Sequence, residues 1–239
     1  LFPALHYNLF FLAKATQKRI FITIGARDHD TNMPLFKTIH YNATTQILVW
    51  KITETFEELF DTVVLNENNS IRLAGMKSQL HQRAFLSVRK LFYLAGYTDF
   101  DLYYDEFGKP HLKDGKYISI THSHEFSAII LSNETVGIDM ELQRDKIIKI
   151  ADKFCDSEFQ YLTDNEEYIR KLTVVWGAKE AIFKIRNEKG ISFKNHIKVN
   201  SFDLEVKETI AELHFDNLIT DFKIYFEEME GFTLVYAFQ

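Results

Sequence analysis

The sequence predicts a globular protein that mixes helices and strands. Its 239 residues are enough for one large domain or two half-size ones, and 46% hydrophobic with 26% charged residues is an ordinary soluble composition. Apolar residues recur at helical spacing in two long segments, residues 79–94 and 166–186. Shorter apolar runs rich in β-branched and aromatic residues indicate strands, so the chain contains both kinds of element.

The first half of the chain begins with a predicted buried strand at residues 47–52, a short helix at 53–65 and a polar loop at 66–70. The helix at residues 79–94 is the clearest, because one apolar stripe runs along it and Gly96 stands where it should end. Three short strands follow, and we expect them to form a meander with two histidines at its first bend. Their predicted bounds are residues 117–121, 126–131 and 135–141.

The second half is expected to continue with helices at residues 145–154 and 166–186 and a shorter helix between them. Strands are then predicted at residues 197–199, 211–215, 222–226 and 233–237. Neither a Gly-x-Gly-x-x-Gly motif nor a Walker-type phosphate loop occurs in the sequence. The functional interpretation therefore cannot rest on either of these two nucleotide-binding motifs.

Charge and cysteine content narrow the function and the compartment. The formal net charge of −6 argues against a general nucleic-acid binder, since such proteins carry a basic stripe. Cys155 is the single cysteine, so no intramolecular disulfide can form and a reducing compartment is expected. No apolar run reaches the length of a membrane span. We therefore expect a cytoplasmic protein with no nucleic-acid or membrane partner.

The beginning of the chain is unusual, because residue 1 is a leucine and the first methionine is Met33. Residues 1–32 are either upstream sequence translated ahead of the natural start or a genuine extension, and we assign them no function. From Met33 onward the sequence is orderly, and the first predicted strand follows at residues 47–52.

Two carboxylates stand two residues apart in the predicted strand at residues 135–141. Residues i and i+2 of a strand point to the same face, so Asp139 and Glu141 project side by side with their backbones about 6–7 Å apart. Two like charges at this distance repel, at a cost on the order of a few kcal/mol at a protein surface. A cation between them removes the repulsion, and carboxylate oxygens suit Mg²⁺ or Mn²⁺. The pair alone fits a solvated strand face equally well.

Other charged residues each have two interpretations. Glu180 and Lys184 are four residues apart on a predicted helix, which by itself is typical of a surface ion pair. His122 and His124 form a candidate metal pair, but the i, i+2 spacing on a bend is weak for zinc, and His122 as a phosphate-binding donor is the alternative. Three basic residues along or just before the helix at 79–94 are by themselves ordinary surface charge. These are Lys77, Arg83 and Arg89.

Three sequence blocks stand in order and resemble one known family. They are Ser119-Ile120-Thr121-His122-Ser123, Val136-Gly137-Ile138-Asp139-Met140-Glu141 and Trp176-Gly177-Ala178-Lys179-Glu180-Ala181-Ile182-Phe183-Lys184. Together they resemble the 4′-phosphopantetheinyl transferases, in particular the surfactin-synthetase-activating type. That family's pattern is a Ser/Thr-His-Ser bend, a Gly-Ile-Asp-x-Glu strand and a Trp-x-x-Lys-Glu-x-x-x-Lys helix. The upstream Gly108-Lys109-Pro110 is similar to the family's Gly-Lys-Pro.

The resemblance runs from about residue 47 to the C-terminus, and it implies a fold and a division of the chain. The fold would be α+β, with two similar α/β subdomains packed as a pseudo-dimer and the active site between them. The division falls near Thr135, which gives an N-terminal half at residues 33–135 and a C-terminal half at residues 136–239, after the extension at residues 1–32. Since both halves act within one chain, a monomer is expected.

The resemblance also implies a reaction and its residues. The family transfers the phosphopantetheine arm of coenzyme A to a serine of an apo acyl or peptidyl carrier protein and releases adenosine 3′,5′-bisphosphate. By resemblance, Asp139, Glu141 and Glu180 bind Mg²⁺ or Mn²⁺, and Glu180 is the base for the serine hydroxyl. Asp139, Glu180 and Lys184 form the implied catalytic set. The implied contacts to coenzyme A are Lys184, His122, Thr121 and Lys109, with Lys77, Arg83 and Arg89 as candidates for its 3′-phosphate.

Two other function classes stay open at this point. One is a different Mg²⁺-dependent phosphoryl-transfer or hydrolytic enzyme built on a similar carboxylate cluster. The other is a non-catalytic relative that docks carrier proteins. A decayed enzyme would be free to lose one of the implied catalytic residues, and the presence of all of them argues against this second class. No motif indicates which carrier protein is served.

Overall fold

A computed structural model describes residues 35–239, so the predicted extension at residues 1–32 and the first residues of the predicted N-terminal half lie outside the described residues. The first part of the described chain forms strands β1 (Leu35–Asn42), β2 (Thr45–Lys51), β3 (Leu102–Tyr104), β4 (Pro110–Leu112), β5 (Tyr117–Ser123) and β6 (Phe126–Ser132). Its helices are α1 (Phe56–Phe60), α2 (Glu67–Ala74) and α3 (Gln79–Leu94).

The second part of the described chain continues with strands β7 (Val136–Leu142), β8 (Ile197–Val199), β9 (Glu208–Phe215), β10 (Leu218–Met229) and β11 (Phe232–Phe238). Its helices are α4 (Tyr168–Arg186) and α5 (Phe193–His196). Two short 3₁₀ helices, Asp145–Lys153 and Ser157–Gln160, replace the α-helices expected between β7 and α4. The mixture of helices and antiparallel sheets confirms the α+β class, whereas the similarity of the two halves stays a prediction.

The expected polar loop at residues 66–70 is wrong, because these residues begin helix α2. The side chain of Asn66 accepts a hydrogen bond from the backbone N–H of Asn69 and thereby caps the helix. Short polar residues are favoured at this capping position because they satisfy an otherwise unpaired backbone donor. The helix expected at residues 53–65 is only five residues long as α1, and Thr55 and Glu58 form a capping box at its start.

The expected meander of three strands is also wrong. Strands β5 and β6 pair, but β7 leaves their sheet and pairs with β11, from Leu142 opposite Phe232 to Val136 opposite Phe238. Sheet 1 therefore has the order β1-β2-β6-β5, and sheet 2 has the order β7-β11-β10-β9-β8. Strand β11 is strongly apolar and pairs with β7 along the whole length of β7. Strand β7 therefore does not need β6 as a hydrogen-bonding partner.

The two sheets pack face to face, and each carries one long helix on its outer face. Strand β2 shows the alternation: Val49 is buried between the sheets, whereas Trp50 faces the core formed with α3. In the same way Leu234 of β11 lies between the sheets, and Val235 packs against α4.

Within residues 35–239, no helix combines the length and the apolar character needed to cross a membrane.

The edge strands of the two sheets meet at a seam, which we define as the contact between β5 and β7. The hydroxyl of Ser119 accepts a hydrogen bond from the backbone N–H of Ile138 at 3.1 Å, and the hydroxyl of Thr121 accepts one from Met140, also at 3.1 Å. Side chains of sheet 1 therefore satisfy backbone donors on the edge of sheet 2 that has no neighbouring strand. This seam positions the functional residues.

Candidate active site

Strand β7 presents its two carboxylates to helix α4. Its alternate residues Ile138 and Met140 are buried between the sheets, so the pleat turns Asp139 and Glu141 to the opposite face. The indole Nε1 of Trp176 on α4 donates a hydrogen bond to Glu141 at 3.3 Å. The side-by-side placement expected from the i, i+2 spacing is therefore present, and it faces a helix instead of open solvent.

Two glycines allow α4 to approach the sheet closely. A Cβ atom added to Gly137 on β7 would lie 2.0 Å from the carbonyl oxygen of Ala181 on α4. A Cβ added to Gly177 on α4 would lie 2.6 Å from a methyl group of Val235 on β11. Non-bonded atoms do not come this close, so a side chain at Gly137 would force the backbone of α4 to move, and one at Gly177 would force the Val235 side chain to move. The close approach brings Glu180, the neighbour of Ala181, towards the carboxylates of β7.

Asp139 has one oxygen that is bound and one that is not. Its side chain is 7% exposed, and its Oδ1 accepts hydrogen bonds from Lys184 Nζ at 2.8 Å and from Thr121 Oγ1 at 3.2 Å. Its Oδ2 is buried and has no hydrogen-bond partner among the described residues. A buried acceptor without a partner costs free energy, so this atom is suited to receive a ligand that the chain itself does not supply.

The two glutamates beside Asp139 hold their protons more tightly than usual. Burial, together with the negative charges of Asp139 and Glu141, raises the pKa of Glu180 from 4.5 to about 7, against the opposing effect of Lys184. Burial and the charge of Asp139 also raise the pKa of Glu141, and the hydrogen bond from Trp176 opposes this. We call Asp139, Glu141 and Glu180 the acidic cluster, since their charges act on one another.

The acidic cluster has the oxygen donors that a divalent cation needs, but its carboxylates are not yet arranged as a metal site. In the described part of the chain, no group of three or more His, Cys, Asp or Glu side chains is arranged so that it would hold a metal ion by itself. The unpartnered Oδ2 of Asp139 and the raised pKa values of Glu141 and Glu180 nevertheless indicate excess negative charge that a cation would relieve. Oxygen donors of this type suit Mg²⁺.

A cavity of about 510 Å³ lies next to the acidic cluster, between α3, β5 and the end of α4. Lys109, His122 and Lys184 line it, so three of the predicted coenzyme A contacts are brought together. Lys184 connects the two regions, because it lines the cavity and also bonds Asp139 Oδ1 and the carbonyl oxygen of Ile138, both at 2.8 Å. The Nζ of Lys109 donates to the carbonyl oxygen of Ile185 on α4.

His122 is placed on the cavity wall with other cationic groups around it. Its ring lies 6.3 Å from that of His81, and partial burial together with the charges of His81 and Lys184 lowers its pKa. Thr121, the next residue on β5, is oriented differently: its hydroxyl is buried in the seam and bound to Asp139 and Met140. The placement of Thr121 favours a contact with the acidic cluster over a contact with a ligand in the cavity.

The three basic residues considered for the 3′-phosphate fall into two groups. Arg89 lines the cavity, although its Nε is bound to Asp99 at 3.0 Å. Its Nη2 is buried without a partner among the described residues. Arg83 donates to the carbonyl oxygen of Ile52, and neither Arg83 nor the exposed Lys77 is among the residues that line the cavity. The structure therefore brings only Arg89 of the three to this cavity.

Two cationic residues of the cavity were missed by the sequence reasoning, Arg72 and His81. Arg72 belongs to α2, whose first residues were expected to form a loop and whose remaining residues were assigned to no element. Its guanidinium lies 5.2 Å from the ring centre of Tyr104. His81 carried a usable signal, because it shares one face of α3 with Phe85 and Val88 at i+4 and i+7, and both of these line the cavity.

Comparisons with known proteins agree with the resemblance read from the three motifs. Residues 135–231 match the family model described as the 4′-phosphopantetheinyl transferase superfamily. A curated relative, "4′-phosphopantetheinyl transferase gsp" of Aneurinibacillus migulanus, is 30% identical over 132 residues. That match spans 54% of this chain and 54% of the relative, so it covers about half the length of each protein. The resemblance is thereby confirmed for residues 135–231, the part of the chain that matches the family model and that contains the whole acidic cluster and Lys184.

Proposed function

We propose that this protein transfers the 4′-phosphopantetheine arm of coenzyme A to a serine of an apo acyl or peptidyl carrier protein, in a Mg²⁺-dependent reaction that releases adenosine 3′,5′-bisphosphate. The observation that carries the proposal is the junction at Lys184, where a cavity with cationic walls meets the acidic cluster. Coenzyme A requires such a junction, because its phosphates need cations and its pyrophosphate needs a metal ion beside the bond that breaks.

The cavity supports a ligand of this kind in size and in chemistry. About 510 Å³ lies within the range of pockets that take small molecules and cofactors. Its walls combine apolar side chains, such as Phe85 and Phe183, with the cationic residues Arg72, Arg89 and Lys109. The apolar walls suit the pantetheine chain or a base, and the cations suit phosphate groups. For the 3′-phosphate we propose Arg72, His81 and Arg89 in place of Lys77 and Arg83.

The acidic cluster would hold the metal ion. Asp139 would contribute its unpartnered Oδ2, and Glu141 and Glu180 would contribute carboxylate oxygens when they lose their protons. When bound, Mg²⁺ would neutralise charge on the pyrophosphate and stabilise the adenosine 3′,5′-bisphosphate that leaves when the pyrophosphate bond breaks. The same site would accept Mn²⁺, which prefers similar oxygen ligands.

The remaining chemistry falls to side chains of this chain. A serine hydroxyl is a weak nucleophile until a base takes its proton, and we propose the carboxylate of Glu180 as that base. Lys184 uses two of its three ammonium protons on Asp139 and Ile138, which leaves one for a phosphate oxygen. His122 would donate to a second phosphate from β5, which also lines the cavity.

The partner and the cellular setting follow from the same proposal. The acceptor would be an apo carrier protein of a fatty-acid, polyketide or peptide synthase. We further propose that the enzyme is a cytoplasmic monomer. One chain contributes both the cavity wall on α3 and the acidic cluster on β7 and α4, which supports the monomer.

The transfer assay tests the proposal. The protein is incubated with coenzyme A, Mg²⁺ and several apo carrier proteins, and the intact mass of each carrier is measured. We expect the carrier to gain one phosphopantetheine arm. We expect Glu180→Gln to slow this transfer by about 10²–10⁴-fold, since it removes a general base and a metal ligand. Glu167→Gln is the matched control, because Glu167 forms a surface ion pair with Lys171, close to the start of α4.

Each result has a defined meaning. If coenzyme A is hydrolysed or its phosphoryl group goes elsewhere, the protein is another Mg²⁺-dependent enzyme. If the protein binds carrier proteins but modifies none of them, it is a non-catalytic relative. If Glu180→Gln modifies the carrier at the rate of Glu167→Gln, the role assigned to Glu180 is wrong.

A further inference from the structure

We infer that Thr121 is a positioning residue, which orients Asp139 from the facing sheet so that Oδ2 alone is offered to the divalent cation. This inference rests on the proposed function, since it concerns the metal ion of that reaction. It differs from the expectation that Thr121 holds a phosphate of coenzyme A, and the two assignments predict different measurements.

The direction of the hydrogen bonds at Thr121 is determined by its partners. The hydroxyl lies 3.1 Å from the backbone nitrogen of Met140, which is a donor and leaves the hydroxyl oxygen to accept. The single hydroxyl proton is then free to point to Asp139 Oδ1 at 3.2 Å. A serine or threonine hydroxyl has only one proton, so this proton is committed to Asp139 and not to a ligand.

The two oxygens of Asp139 are made unequal by this arrangement. Oδ1 receives the hydroxyl proton of Thr121 and an ammonium proton of Lys184 at 2.8 Å. Oδ2 is buried, has no partner among the described residues, and lies 3.8 Å from the point where a Cβ on Gly177 would stand. Rotation of the carboxylate would break both bonds of Oδ1, so the free oxygen is held in one direction. Hydrogen bonds of this kind orient a ligand and commonly change metal affinity about 10–100-fold.

The seam supplies a control residue two positions away. Ser119 accepts a hydrogen bond from the backbone nitrogen of Ile138 at 3.1 Å, as Thr121 does from Met140. Both side chains are buried, with 4% and 5% of the residue exposed. The described hydrogen bonds of Ser119 reach no carboxylate. Loss of the Ser119 hydroxyl therefore reproduces the damage to the seam without the effect on Asp139.

The test compares Thr121→Val, Thr121→Ser and Ser119→Ala with the wild-type protein. Mg²⁺ is titrated by calorimetry into the full chain saturated with coenzyme A and without a carrier protein. We expect Thr121→Val to weaken the Mg²⁺ affinity about 10–100-fold. Thr121→Ser keeps the hydroxyl and is expected to restore wild-type affinity, and Ser119→Ala is expected to keep it. Urea unfolding should show a similar loss of stability in Thr121→Val and Ser119→Ala.

Coenzyme A affinity, measured separately in the presence of EDTA, distinguishes the two roles of Thr121. A positioning role leaves this affinity unchanged in Thr121→Val, whereas a direct phosphate contact weakens it. The inference is overturned if Thr121→Val binds Mg²⁺ as tightly as Ser119→Ala, or if the wild-type protein binds no Mg²⁺ under these conditions. If the affinities differ as expected but no carrier protein is ever modified, the positioning role stands and the proposed transferase reaction is wrong.

Discussion

Two of the lysines on helix α4, Lys179 and Lys184, are five residues apart and have very different surroundings. Lys179 is fully buried, and its Nζ lies 2.7 Å from a carboxylate oxygen of Glu158. It also donates to three backbone carbonyl oxygens, those of Phe154, Phe193 and Ile197. Lys184 has a side chain that is 29% exposed and bonds one carboxylate and one carbonyl oxygen. Lys179 is therefore saturated by the fold, and Lys184 retains a free proton.

The carboxylate partners differ in the same way. Glu158 also accepts hydrogen bonds from the backbone nitrogens of Val199 and Asp156, both at 3.0 Å, so both of its oxygens are used. Asp139 leaves Oδ2 without a partner among the described residues. A saturated buried ion pair joins elements of the fold, whereas an unsaturated one retains capacity for a ligand. Both lysines have a buried carboxylate partner, so burial of the partner does not distinguish the two pairs, whereas unfilled hydrogen-bonding capacity does.

The largest expected effect in this comparison comes from Lys179→Met. This change leaves Glu158 charged and buried without its ammonium partner, and breaking a buried pair in this way commonly costs about 3–5 kcal/mol of unfolding free energy. For a chain of this size, the midpoint of thermal unfolding should fall by roughly 10 °C. Urea and thermal unfolding followed by circular dichroism would measure both quantities.

Lys184→Met provides the contrast to that prediction. Its ammonium is partly exposed, so water can replace it beside Asp139, and we expect a smaller loss of unfolding free energy than in Lys179→Met. The distinction between a structural and a functional lysine would be wrong if the two variants lost the same stability.

Local sequence patterns were sufficient to predict how residues are placed within a single strand or helix. The side-by-side placement of Asp139 and Glu141 follows from the strand period, and α3 has the predicted bounds, residues 79–94. The pair Glu180 and Lys184 follows from the helix period in the same way. These features need no knowledge of distant residues, and the three motif blocks connected them into one family resemblance.

Contacts between distant elements were beyond such patterns. Lys179 was recognised only as part of a motif, because its partner Glu158 lies in a 3₁₀ helix that was expected to be an α-helix. Arg72 was missed because it follows the segment expected to be a loop, residues 66–70, and was assigned to no element. The pairing of β7 with β11 depends on residues about ninety positions apart, as Glu141 opposite Thr233 illustrates. No local periodicity encodes such a register.

The close packing of α4 on sheet 2 can be tested through two glycines, Gly137 on β7 and Gly177 on α4. In Gly137→Ala the new methyl group meets the backbone carbonyl of Ala181 at 2.0 Å, so the helix itself must move. In Gly177→Ala the obstacle is the Val235 side chain at 2.6 Å, which can rotate. We expect a loss of about 3 kcal/mol for Gly137→Ala and about 1 kcal/mol for Gly177→Ala, measured by urea unfolding. Equal losses would contradict the close approach of α4 to β7.

A further expected effect is a pH dependence of stability that belongs to the acidic cluster and not to the saturated pair. Glu180 keeps its proton up to about pH 7 in the folded protein, whereas in the unfolded chain it loses the proton near 4.5. Between these values the folded state binds more protons than the unfolded state, so stability falls as the pH rises. The full cost is present above pH 7 and is absent below about 4.5. Its size is on the order of 2 kcal/mol after allowance for the partial exposure of the carboxyl group, since one pKa unit corresponds to about 1.4 kcal/mol.

Glu180→Gln removes this titration and leaves the other groups of the cluster in place. We expect the variant and the wild-type protein to be similarly stable at about pH 5 and the variant to be more stable at about pH 8, in urea unfolding with EDTA present. Glu167→Gln should follow the wild-type curve, because its ion pair is on the surface. Added Mg²⁺ should raise the stability of the wild-type protein at the higher pH, since it favours the charged form of Glu180. Parallel curves for Glu180→Gln and wild type would mean that the neighbours of Glu180 do not raise its pKa, and the contrast between the saturated pair and the acidic cluster would lose its electrostatic part.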